Sequence, residues 1–198
     1  ETALPRATVT RIVATLADAT LLARSEDEGW VLGPELVRLA RRADPYRGLC
    51  RAARPLLVRL RDWSGESALV GPPTGEPGQE ILDQLAGPSV VGVASWVGQV
   101  VPLHASAAGK LVLADLPPAE LAEWLARWTP ERFTAATITD DGALRGELAL
   151  ARRRGWAGLV DELEDGLTSL SAGVFSEDGR LQAMIGVSGP TFRLGAAR

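Results

Sequence analysis

The chain holds one cysteine, one histidine and one lysine, Cys50, His104 and Lys110, so the chemistry open to it is narrow. Single residues of these types exclude a disulfide framework and any multi-His or multi-Cys metal site. Cys50 lies far along the chain from His104 with nothing nearby to lower its pKa, and it reads as a small apolar helix residue. A histidine six residues before a lysine could act as general base and amine in acyl transfer or Schiff-base chemistry, yet neither has a partner within its own stretch. A structural reading fits "PLHASAAGKLVLADL" better: His104 ends a strand and bonds to backbone, while the small residues Ala105 to Gly109 let a helix N-terminus approach a ligand. Free N–H groups at such a terminus hold a carboxylate without a charged side chain, which is a means of sensing an organic acid.

The elements that must position these residues differ between the two ends of the chain. Of 198 residues, 46% are hydrophobic and 23% charged, enough for a real core without disulfides and unlike a disordered chain. Up to Asp62, eleven arginines against eight acids give +3; the remainder carries −7. A basic head on an acidic body suits a polyanion-binding part joined to something else. No apolar run approaches the ~18 residues of a membrane helix and no secretory signal is visible, so a reducing cytoplasm and no membrane association are expected.

In the head, Val9, Ile12, Val13 and Leu16 recur at helical spacing, with Pro5 suited to the helix start and Arg11 opposite the apolar stripe. Leu21–Arg24 and Trp30–Leu32 then read as two strands around the acidic turn "SEDEG", a β-hairpin directly after a helix. "ELVRLARRA" resumes a helical period, Asp44-Pro45 breaks it, and a second helix runs from about Gly48 to Trp63. Beyond Glu66 come β-rich runs, "ESALVG", "EILDQLA", "SVVGVASWVG" and "QVVPLH". Helices follow, the last capped by Asp140 or Asp141, and then "AGLVDE", "LSAGVFS" and "RLQAMIGVSG" supply strands, with "EDG" as the final tight turn. The expectation is an α+β domain in which helices pack on an antiparallel sheet.

A helix followed by a hairpin wing is the second half of a winged helix-turn-helix. "LPRATVTRIVATL" with a wing ending in "WVLGPELVRLA" resembles the DNA-binding segment of the IclR family of bacterial transcriptional regulators. "PLHASAAGKLVLADL" resembles that family's effector-domain signature, "TITDDGALRGELALARRRGWAGLVDELEDGL" its long-helix region and "IGVSGPTFRL" its closing strand. The four segments stand in the family's order. The resemblance implies a partial winged helix-turn-helix over 1–33, linker helices over 34–64 and a C-terminal GAF-like effector domain over 65–198. It also leads one to expect about one and a half further helices before Glu1 and a final helix after "GAAR".

By the same resemblance Arg6, Thr8, Thr10 and Arg11, with Arg24 in the wing, would face double-stranded operator DNA, and their donors suit phosphates and base edges. Ala107 and Ala108 would form the amide floor of an effector pocket, with Asp161, Leu167, Ser169 and Ser188 on its opposite wall. Trp96, read as lying on a strand, would be either a ligand contact or a core or dimer-interface aromatic. No cofactor, metal or catalytic residue is expected. The function implied is a ligand-responsive regulator, a homodimer that commonly pairs into a dimer of dimers, repressing a catabolic gene until a small carboxylate or aromatic effector binds. Activation by the same architecture, a ligand-binding module without DNA binding, and a hydrolase using His104 are the alternatives.

Overall fold

The computed structural model describes residues 4–25, 29–40, 45–74 and 78–195. The hairpin's acidic turn Glu26–Glu28, Arg41 and Arg42 with Asp44, and the chain's first and last three residues lie outside them. The chain divides into two compact units, one up to Arg47 and one from Gly48.

The first unit contains α1 (Arg6–Asp18), β1 (Leu22–Ser25), β2 (Gly29–Leu32) and α2 (Pro34–Ala40). Pro5 precedes the first turn of α1, where its missing N–H costs nothing. β1 and β2 pair antiparallel, Arg24 opposite Trp30. Gly33 closes the hairpin against the end of α1: its N–H bonds to the Leu21 carbonyl and a Cβ there would collide with the Thr20 backbone.

The second unit opens with α3 (Arg47–Ser64), then β3 (Ser67–Gly71), β4 (Gln79–Glu80), β5 (Asp83–Leu85) and β6 (Val100–Val101). After these come α4 (Ala107–Asp115), α5 (Pro118–Arg127), α6 (Asp141–Arg154), β7 (Trp156–Val160), β8 (Leu167–Phe175), β9 (Leu181–Pro190) and α7 (Thr191–Leu194). Five strands form one antiparallel sheet in the order β5-β3-β9-β8-β7, and β4 pairs with β6. Leu111 and Leu113 of α4 and Leu144 and Leu148 of α6 pack with Ala157 and Met184 of the sheet. Ala53 and Leu57 of α3 pack with Ala68, Val70 and Ala183. Alternation along the strands therefore buries both faces.

The second helix of the segment expected as linker and brace packs on the sheet, because its stripe of Ala53, Leu57 and Leu60 needs an apolar partner and finds one in β3 and β9. Two expectations are corrected. "EILDQLA" divides into β4 and β5, which join different sheets. "SVVGVASWVG" belongs to no ladder. Residues 86–99 form a loop with Gly98 at φ +75°, held by the Gln84 side chain, which accepts from the Trp96 N–H and donates to the Ala94 carbonyl, and by backbone bonds of Gly98 and Gln99 with Ile81. Of the two possible caps for α6, Asp140 is the one used, its carboxylate accepting from the Ala143 N–H at 2.8 Å, and Gly155 ends the helix in the left-handed region. Among the described residues no helix is long and apolar enough to cross a membrane.

Candidate functional site

α4 begins where it does because Ser106 caps it. The Ser106 hydroxyl donates to the Pro102 carbonyl (2.7 Å) and accepts from the Gly109 N–H (3.1 Å), pinning the first turn to the preceding strand end. Gly109 permits this approach, since a Cβ there would lie 2.5 Å from the Leu103 Cα and carbonyl oxygen. The first-turn N–H groups of Ala107 and Ala108 have no intrahelical acceptor and sit at the positive end of the helix.

A small cavity of about 50 Å³ opens in front of that turn. Its floor is Ser106, Ala107 and Ala108; Leu159, Leu163, Leu167, Ser169 and Ser171 line it from β7, β8 and their connecting loop; Ser188 and Leu69 come from β9 and β3; Ile81, Trp96 and Val101 complete it. The lining is mostly apolar with a few converging hydroxyls, the usual make-up of a small-ligand site. The serines are not equivalent. Ser169 donates to the Val187 carbonyl (3.0 Å) and Ser106 is spent on the cap, whereas Ser171 and Ser188, only 8% and 5% exposed, have no hydrogen-bond partner among the described residues. The cavity thus presents two amide donors and two free hydroxyls to an otherwise apolar guest.

Of the residues singled out in the sequence, Trp96, Ala107, Ala108, Leu167, Ser169 and Ser188 all border this cavity. Trp96 reaches it from a loop rather than from a strand. Asp161 does not border it: its backbone is left-handed (φ +60°) and its carboxylate accepts from the Gly166 N–H (2.9 Å) and the Thr191 hydroxyl (2.7 Å). Ser171 was findable, being two residues from Ser169 on the same face of one strand. Leu69 and Ile81 were not, because the pairing of β3 with β9 brings the first there and backbone bonds to Gly98 and Gln99 hold the second.

His104 and Lys110 are structural. The buried imidazole is held below its ordinary 6.5, chiefly by desolvation, so it is neutral and its Nε2–H donates to the Glu131 carbonyl (2.9 Å). Lys110, 1% exposed, donates to the Gly158 carbonyl (3.0 Å) and to Glu162 Oε1 (2.6 Å). Burial pushes the Glu162 carboxyl up, against the pull of that ammonium. Thr134 and Thr137 in turn donate to the Asp161 and Glu162 carbonyls (both 2.6 Å), so the loop behind Leu163 is anchored from two directions. Among the described residues no cluster of His, Cys, Asp or Glu could hold a metal ion.

In the first unit, Arg6, Thr10, Arg11 and Arg24 are exposed and Thr8 is half-buried. Thr10 returns its hydroxyl proton to the Arg6 carbonyl (3.0 Å), and Arg24 lies over the Trp30 ring across the hairpin. Arg6 and Arg11 make no ion pair among the described residues, so both guanidinium groups are available.

The family model described as bacterial transcriptional regulator IclR C-terminal matches residues 46–198. The HTH-type transcriptional regulator BhcR of Paracoccus denitrificans is 35% identical over 192 residues, covering 96% of this chain and 68% of that regulator. The HTH-type transcriptional repressor AllR of Klebsiella pneumoniae is 30% identical, covering 96% and 70%. Among solved structures, an IclR homologue from Microbacterium hydrocarbonoxydans complexed with 4-hydroxybenzoate superposes with a TM-score of 0.69 at 28% identity, over 95% of this chain and 77% of that one. The two curated relatives are named as regulators of transcription, and none of the three as an enzyme.

Proposed function

Because the chain belongs to the IclR family of bacterial transcriptional regulators, we propose that it is a repressor whose N-terminal unit binds operator DNA and whose cavity beneath α4 binds a small organic acid that releases it. The observation that carries the reading is the pairing of unpartnered Ala107 and Ala108 amides with the free Ser171 and Ser188 hydroxyls around an apolar chamber. A carboxylate would accept from the two amides at the helix terminus, its other oxygen or a ring substituent would meet the serines, and Trp96, Leu163 and Leu167 would cover its apolar body. The 4-hydroxybenzoate held by the Microbacterium homologue supports an acid with an aromatic body, and the AllR relative supports repression.

On the DNA side, α1 would enter the major groove, with Arg6, Thr8, Thr10 and Arg11 on phosphates and base edges and Arg24 of the hairpin on backbone. A homodimer would present two such helices to paired half-sites, and two dimers would pair in turn. The acid acts by binding more tightly to the arrangement that does not fit the operator. The test is anisotropy of a labelled duplex from upstream of the protein's own gene, titrated with full-length protein and then with 4-hydroxybenzoate and a panel of smaller acids. Tight binding released by one of these acids supports the reading, and a duplex that is never bound, or is bound and never released, contradicts it.

A further inference from the structure

Three parts of the second unit meet at the short segment that follows β9. The first is the junction between α3 and the sheet, where Gly65 is left-handed (φ +71°) and Glu66 is buried, 4% exposed. The second is the loop over 86–99, which carries Trp96 into the cavity. The third is the β7–β8 loop, which carries Leu163.

Arg193 of α7 joins the first two. Its Nε and Nη2 donate to the two carboxylate oxygens of Glu66 at 2.5 and 2.9 Å, and the same Nη2 donates to the Val91 carbonyl at 2.7 Å. Thr191, one half-turn earlier, joins the third: its N–H donates to the Gly166 carbonyl and its hydroxyl to Asp161 Oδ1, both at 2.7 Å. The junction packs closely on its own account. At Gly87, near the start of the Trp96 loop, a Cβ would be tight against the Glu66 backbone (3.0 Å), and at Gly189 it would collide with the Glu66 carboxylate. Elsewhere the loop is held near its end by the Gln84 side chain and by backbone bonds between Gly98, Gln99 and Ile81, while Val90 and Val91 in its first half are exposed.

We propose that Arg193 is a latch: it ties the Trp96 wall of the cavity to the Glu66 junction at the end of α3, so that a change in that wall is felt at the helix leading back along the chain to the N-terminal unit. The fork geometry of a guanidinium suits the task. Two of its N–H groups satisfy a buried carboxylate while a third holds a loop carbonyl, which an ammonium cannot do from the same position. Asp161, which stays out of the cavity, gains a role here by fixing α7 through Thr191. The significance of the latch rests on the cavity being the effector site, but its mechanical coupling does not.

Hydrogen exchange read residue by residue on the whole chain, without ligand, tests that coupling. Two reporters are the amides of Trp96, bonded to Gln84 Oε1 at 2.9 Å, and of Gly87, bonded to the Ser67 hydroxyl at 3.3 Å. Glu66→Gln touches neither the Trp96 side chain nor the Val91 carbonyl, yet it removes the charge and one of the two acceptors that position Arg193. It should speed exchange at Trp96 roughly tenfold, the change expected when a charge-assisted hydrogen bond is lost. Arg193→Lys keeps the buried Glu66 paired with a cation but gives up the Val91 bond, and should do the same. Amides of Ser169 to Gly173 in the centre of the sheet report global stability, and rates at Trp96 are compared after scaling to them. Acceleration at Trp96 in both variants supports the latch, and a wild-type rate at Trp96 in either one overturns it. A chain that binds no small acid but shows the coupled exchange would sink the effector reading and leave the latch standing.

Discussion

At the scale of the residue, the molecule uses its rarest side chains for structure. Lys110 and Glu162 neutralise each other behind the cavity wall, and removing one partner leaves the other buried and uncompensated. His104 donates to the Glu131 carbonyl and is kept neutral by burial. An unfolded chain takes up a proton near pH 6.5 that the folded imidazole refuses, so the unfolded state binds more protons in that range. The stability His104 contributes is full above pH 6.5 and is lost as pH falls from there toward its lowered folded value. Thermal melts between pH 7.5 and 5 should show this slope reduced in His104→Gln, whose side-chain amide can still donate to Glu131. An unchanged slope would mean that other groups carry it. The histidine's bond to backbone was legible in the sequence, but not its place: β6 ends at Val101, and His104 stands in the turn after it instead of ending a strand. The Lys110 partner was not legible, because it lies 52 positions away and only the fold brings it near.

At the scale of the element, α4 decides the site. The α6 cap was legible as the aspartate pair before an amphipathic run, whereas Ser106 was read only as one of a run of small residues and its cap comes from the structure. Ser106→Ala removes the cap and should cost about 1 kcal/mol, read from denaturant midpoints. Gly109→Ala should cost more and also weaken acid binding, because its methyl must push the first turn off the Leu103 backbone. A Gly109→Ala protein as stable as wild type would show that the close approach is not needed. The Trp96 loop was misread for a physical reason: valine-rich runs carry β-propensity, but a strand also needs an unpaired neighbour. β5 already takes the edge beside β3, and β6 pairs with β4. The α3 stripe was legible as amphipathic, while its partner was not, since amphipathicity marks a buried face without naming what buries it.

At the scale of the whole molecule, the chain forms two compact units, and the arginine excess counted up to Asp62 does not follow that division: residues 1–47 carry seven arginines against seven acids, and the excess lies on α3 in Arg51, Arg54, Arg59 and Arg61. Arg6 and Arg11 of α1 are exposed and make no ion pair among the described residues, as a polyanion-binding face requires. In the full-length protein, Arg11→Ala should weaken duplex binding. If Arg11 meets a phosphate, the slope of log affinity against log salt should fall by about one; if it reads a base, discrimination at that position should relax by roughly 1–3 kcal/mol. Unchanged affinity and slope would remove Arg11 from the interface. The central claim concerns the second unit: that the turn capped by Ser106 holds a carboxylate. Thermal shift of the chain against matched pairs of acid and amide, beginning with 4-hydroxybenzoate and 4-hydroxybenzamide, tests it most directly. An acid at ~100 times its dissociation constant adds about 2.7 kcal/mol. The cavity predicts stabilisation by an acid and little by its amide, diminished in Gly109→Ala. A panel in which acids and amides stabilise equally, or neither does, would contradict it.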